Sequence, residues 1–183
     1  MVQGNVICGN QFVGVEIADG AGATAPGNLV EGNKIGTDPS GTRAVPNGLD
    51  GVFINNAPDN TIGGTAAGAG NLISGNGSVG IQLFGPETSG TVIEGNSLGL
   101  DSAGRPTLPN RAGGIFVNTG PGNNQIGGTA PGQANQGQTN QQLSISGIRQ
   151  SKTVSHARSN SPSRRRFCTP ETMRGTVHLR RAH

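Results

Sequence analysis

Tryptophan and tyrosine are absent from this chain of 183 residues, and phenylalanine occurs only five times. A mixed globular core draws much of its buried area from large aromatics, so this core must be aliphatic. Cysteine is almost absent too. The two cysteines, Cys8 in the repeats and Cys168 near the end, suggest neither a disulfide framework nor a metal site, though a Cys8–Cys168 bridge is conceivable. Histidine occurs only at 156, 178 and 183. No apolar run approaches the ~18 residues of a membrane span. No signal peptide precedes the first motif: Met1-Val2-Gln3-Gly4 runs straight into it, and the chain reads as a piece of a longer repeat protein. Phosphate-binding glycine loops, nucleophile elbows, zinc patterns and the calcium-binding nonapeptide are all missing. The sequence implies no cofactor and no metal, and names no specific activity.

What is present is glycine, 33 residues of it, among regularly spaced Ile, Val and Leu. The glycines show no Gly-X-Y period, which excludes collagen. The hexapeptide Asn71-Leu72-Ile73-Ser74-Gly75-Asn76 recurs as Asn5–Asn10, Asn28–Asn33 and Thr91–Asn96, and in shortened form at Asn60–Thr65 and Asn124–Thr129. It reads as one wall of a stacked coil. Its third residue (Ile7, Val30, Ile62, Ile73, Ile93, Ile126) points inward, Leu72 and Ser74 face outward, and Gly75-Asn76 turns a corner. A second phrase starts at Gly14, Gly51, Gly80 and Gly114, with apolar residues at its second and fourth positions. That alternation suits a strand with one buried face. Gly32 and Gly95, Asp38 and Asp101, and Gly51 and Gly114 are each 63 residues apart, while Asn10 and Asn76 are 66 apart. A super-repeat of this length points to a solenoid.

Short strands bounded by Gly or Asn, without a helical period, predict an all-β fold. The form expected is a right-handed parallel β-helix of three to four rungs, each with three short strands. The Asn-x-Ile-x-Gly-Asn and Ile-Gly-Gly-Thr-Ala-x-Gly phrases resemble right-handed parallel β-helix repeats of the pectin-lyase-like class, and repeats of long bacterial surface or secreted proteins. That resemblance covers residues 4–135. It implies an extracellular or cell-surface location and a structural or adhesive segment without catalysis of its own. The class also holds polysaccharide lyases and hydrolases, so a fragment of such an enzyme and a carbohydrate-binding module are the alternatives. The partners it implies are polysaccharide, another surface protein, or further repeats of a longer chain.

Charge divides the chain. Residues 1–140 carry four basic groups (Lys34, Arg43, Arg105, Arg111) against nine acids; residues 141–183 carry nine basic groups and one acid, Glu171. We therefore expect repeats over 1–135 and a basic, low-complexity tail over 136–183, disordered by composition and suggestive of a shifted reading frame. The tail lacks interleaved aromatics and any recognisable nucleic-acid module, which argues against nucleic acid as partner.

Asn10, Asn33, Asn76 and Asn96 are expected to stack as a hydrogen-bonded ladder rather than to bind a ligand. Two insertions at equivalent points, 36–47 and 99–110, should leave the coil on one side. They carry Asp38 with Arg43 and Asp101 with Arg105, candidate binding pairs whose acids also suit turn-opening roles. Phe53 and Phe116 fall on outward positions with Gln82 between them, where they would stack on sugar rings or pack under an insertion. Glu31 and Glu94 occupy equivalent slots two rungs apart, a spacing the repeat itself produces.

Overall fold

A computed structural model describes residues 1–19, 25–118 and 123–137. The first turn of the coil holds β1 (Val2–Gln3), β2 (Val6–Ile7) and β3 (Val15–Ala18). The second holds β4 (Leu29–Glu31), β5 (Lys34–Ile35) and β6 (Val52–Asn55). The third holds β7 (Thr61–Gly63), β8 (Leu72–Ile73) and β9 (Val79–Phe84). The fourth holds β10 (Val92–Glu94), β11 (Ser97–Leu98) and β12 (Gly113–Val117), and β13 (Gln125–Ile126) and β14 (Gln136–Gly137) begin a fifth.

These strands form three sheets: A (β1-β4-β7-β10-β13), B (β2-β5-β8-β11-β14) and C (β3-β6-β9-β12). Every pairing within them is parallel and joins equivalent strands of neighbouring turns. The fold is thus an all-β parallel β-helix with four complete rungs and part of a fifth, slightly more than the three to four expected. β14 carries the coil two residues past the boundary drawn at 135; the remaining tail, 138–183, lies outside the described residues.

The interior is filled by columns of aliphatic side chains. Val30, Ile62 and Ile93 come from sheet A; Ile35, Ile73 and Leu98 come from sheet B. Sheet C contributes two columns, Val15–Val52–Ile81–Ile115 and Ile17–Ile54–Leu83–Val117. Like stacks on like at the inter-strand spacing of about 4.8 Å. A fully buried Ile or Val is worth roughly 1.5–3 kcal/mol, so the repeated columns hold the coil without aromatics.

Two expectations about the hexapeptide need correction. It builds two walls, not one: its inward residue lies on sheet B at Ile7 and Ile73 but on sheet A at Val30, Ile62, Ile93 and Ile126. The motif specifies a short strand and a corner, and both walls use it. Ser74, expected to face outward, is fully buried. It follows β8 into the corner, and its hydroxyl has no hydrogen-bond partner.

Long connections alternate between the two edges of sheet B. From sheet B to sheet C the chain takes the long path in the second and fourth rungs, through the insertions 36–47 and 99–110. From sheet A to sheet B it takes the long path in the third and fifth rungs, through 63–70 and 127–134. Two rungs therefore make one super-repeat. On one edge the two insertions meet: Ser102 N–H donates to Gly41 O at 2.9 Å, and Leu108 O accepts from Gly75 N–H at 2.9 Å. On the other edge, the long connections accept from the short turns, with Gly32 N–H to Ala69 O at 2.8 Å and Gly95 N–H to Gln133 O at 3.3 Å. The outer face of sheet B, carrying Lys34, Leu72 and Ser97 in register, runs between these two walls.

Candidate functional site

The most conspicuous repeated polar residues line the corners. At the corner between sheets A and B, one column runs Asn5–Asn33–Asn71–Asn96–Asn135. Each Nδ2 donates to the next Oδ1, at 3.2, 2.9, 2.8 and 2.9 Å in turn. Each next Oδ1 also accepts the backbone N–H of the preceding Asn. The second donor position of Nδ2 reaches a strand carbonyl, as from Asn71 to Val30 O at 2.8 Å. At the corner between sheets B and C stands a second column, Asn10–Asn47–Asn76–Asn110, with links of 2.8, 2.9 and 2.9 Å.

Asn33 and Asn96 thus belong to one ladder, Asn10 and Asn76 to another. A single column of these four is not what forms, because the chain turns twice per rung by the same chemistry. A third corner, entering sheet A, carries Asn28, Asn60 and Asn124, with Asn28 N–H to Asn60 Oδ1 and Thr91 N–H to Asn124 Oδ1 both at 2.9 Å. Thr91 stands in the gap of that column, and its hydroxyl is buried without a partner. Sequence reading singled out none of Asn5, Asn47, Asn71, Asn110 or Asn135 as ladder members. A signal was available for most of the first ladder: Asn5, Asn33, Asn71 and Asn96 each stand two residues before an inward aliphatic residue.

The insertions spend their acids on themselves. Asp38 Oδ1 accepts Thr42 N–H at 3.0 Å and Arg43 N–H at 3.2 Å, and Oδ2 accepts the Ser40 hydroxyl at 2.8 Å. The Ser40 hydroxyl leads in holding the Asp38 carboxyl below its ordinary value, helped by backbone N–H groups against a burial penalty. Arg43 meets Asp38 through its backbone; no ion pair joins their side chains among the described residues. Asp101 accepts Arg105 N–H and Ala103 N–H, both at 2.9 Å, and pairs with the guanidinium through Nε at 2.7 Å and a terminal nitrogen at 2.6 Å. Its carboxyl is lowered chiefly by the Arg105 backbone N–H, with burial opposing. Both acids therefore close their own loops.

Asp50, unremarked in the sequence, is the one acid among the described residues pushed the other way. It is fully buried at the entry to β6. Burial raises its carboxyl above the ordinary value, opposed by the nearby Ser78 hydroxyl and the Val79 N–H. Oδ1 accepts Val79 N–H at 3.1 Å, while Oδ2 has no partner.

The outer face of sheet C brings together Glu16, Phe53, Gln82 and Phe116, in register on successive strands. Phe53 packs on Phe84 of its own sheet, ring centroids 6.0 Å apart and tilted by 60°. Gln82 is 1% exposed although it points away from the coil, and its Nε2 has no partner; Asn55 Oδ1, beside it on β6, has none either. Phe116 is buried. Glu31 and Glu94 flank Gly63 on sheet A, two strands apart. Among the described residues no three His, Cys, Asp or Glu gather as metal ligands, and no helix is long and apolar enough to cross a membrane. Compared with known families, curated proteins and solved structures, the chain finds no match.

Proposed function

We propose that this chain is a rigid structural or adhesive segment of an extracellular or surface protein, a right-handed β-helix of the pectin-lyase-like class. The handedness follows from the strong preference of parallel crossovers. The observation that carries the reading is where the repeated polar side chains go. The corner asparagines are consumed by ladders, and Asp38 and Asp101 by their own turns. A solenoid whose polar repeats serve its own backbone is suited to present length and stiffness. The test is incubation of the full chain with pectate, alginate and neutral glucans, with and without calcium. No unsaturated or reducing-end product is expected; products that vanish in Asp101→Ala would sink the structural reading in favour of an enzyme.

A second reading is favoured by one specific place, the outer face of sheet C. There the half-buried rings of Phe53 and Phe84 pack together. Partly exposed rings suit the apolar faces of a sugar chain, while the neighbouring Gln82 Nε2 and Asn55 Oδ1 are buried out of its reach. Electrophoresis through polysaccharide-loaded gels tests this reading. Retardation that disappears in Phe53→Ala supports it, and unretarded migration of the parent chain removes it.

A further inference from the structure

The second ladder places two asparagines directly before glycine, Asn47-Gly48 and Asn76-Gly77. Both residues of each pair are demanded by the fold. The asparagines are needed as links of the column. The glycines are needed because the stacked turns touch there. A Cβ on Gly77 would overlap the Gly48 carbonyl, and a Cβ on Gly48 would overlap the Gln11 carbonyl. The other two links of this column, Asn10 and Asn110, precede Gln11 and Arg111 instead. In the first ladder, the links precede strand residues such as Lys34, Leu72 and Ser97.

An unhindered backbone nitrogen after asparagine is a nucleophile within reach of the side-chain amide. We propose that Asn47 and Asn76 are sites of spontaneous self-modification, held shut by the second ladder and opened when its rungs separate. In the reaction the Gly77 nitrogen loses its proton and attacks Cγ of Asn76. The Cγ–Nδ2 bond breaks, ammonia leaves, and a five-membered imide remains. Water then adds to either imide carbonyl, giving aspartate or its backbone-shifted isomer. No oxidant, reductant or enzyme is needed.

The native coil restrains each reactant. Gly77 N–H donates to Asn47 O at 2.9 Å, and Gly48 N–H donates to Asn10 O at 2.9 Å, so neither nitrogen is free to turn on its own asparagine. The leaving nitrogen of Asn76 is held by Asn110 Oδ1 at 2.9 Å and Ile35 O at 3.2 Å, and that of Asn47 by Asn76 Oδ1 at 2.9 Å and Ile7 O at 3.1 Å. Once converted, the side chain is a carboxylate that cannot donate to the next oxygen of the column. The shifted isomer also lengthens the backbone where the turns touch. A chain that stays open therefore loses its way back, and unfolding becomes irreversible with time. This chemistry is independent of the function proposed above.

The full chain is held at mildly alkaline pH, folded in buffer and unfolded in urea, and its peptides are followed by mass spectrometry with the isomer resolved. In urea, Asn47 and Asn76 should convert first, well ahead of Asn10 and Asn110. In buffer, conversion at both should slow about tenfold or more, as protection by a closed structure requires. Recovery of the fold on removing urea should fall in step with conversion. Asn76 converting as fast in buffer as in urea overturns the proposal, as does conversion in urea with no preference over Asn10 and Asn110. Asn110→Ala, which frees the Asn76 leaving nitrogen from one of its acceptors, should speed conversion of Asn76 in the folded state.

Discussion

A single ladder asparagine does several jobs at once. Asn71 Oδ1 accepts the backbone N–H and the amide of Asn33, at 3.0 and 2.9 Å, and its Nδ2 donates to Asn96 Oδ1 and Val30 O. In Asn71→Ala the backbone N–H of Asn33 loses its acceptor, while Asn33 Nδ2 keeps Val2 O and Asn96 Oδ1 keeps the backbone N–H of residue 71. A stranded buried polar group costs roughly 1–3 kcal/mol, so this one truncation should cost at least about that much in urea unfolding. A loss no larger than that of an exposed substitution would show that the ladder is decoration. Thr91 offers the converse. Its hydroxyl is buried and unpaired in a column otherwise built of asparagine. Thr91→Asn should supply the missing links and raise the thermal midpoint; an unchanged or lower midpoint would mean that the corner has no room for the amide.

At the scale of elements, strands of two to six residues are too short to persist alone, and their order comes from neighbours one turn away. The insertions show the same dependence. The 99–110 loop is held by Asp101 bonds to Ala103 and Arg105, and it in turn accepts and donates bonds that steady Gly41 and Gly75 on other rungs. Asp101→Ala should therefore speed amide exchange at Ser102, Ala103, Arg105 and Gly75, while Val92 and Ile93 in the sheet stay protected. Exchange that changes throughout the coil would mean that the loop is part of the global unfolding unit.

For the whole molecule, three acids pull stability in opposite directions with pH. Asp38 and Asp101 have values below the ordinary 3.8 in the fold. Their contribution is present above that value and is lost as pH falls through the depressed ones. Asp50 has a raised value. Its contribution is present below 3.8 and is lost as pH rises through the raised value, where a charge forms in the corner. Asp50→Asn keeps the acceptor for Val79 N–H and removes that charge. It should equal the parent in acid and exceed it at neutral pH in urea midpoint. Curves that stay parallel from acid to neutral pH would contradict the burial account of Asp50.

Much of this coil was legible in sequence because its interior repeats. Ile73 and Ile93 announce themselves by the residues around them, and parallel stacking of short strands is the simplest way to bury such a column. The asparagine spacing even outlasts the boundary drawn at 135, since Asn140 follows Asn135 by the same five residues that separate Asn71 from Asn76. What only the tertiary structure decided is which column each copy joins. Asn33 meets Asn71 across 38 residues, while Asn76 meets Asn110 across 34, because connections of unequal length alternate on either side of sheet B. No fixed offset in the sequence encodes that pairing. The same holds for the burial of Asp50 and Gln82, which no repeat in the sequence announces. The repeating unit is written locally, and the partners of its polar groups are set by how the turns stack.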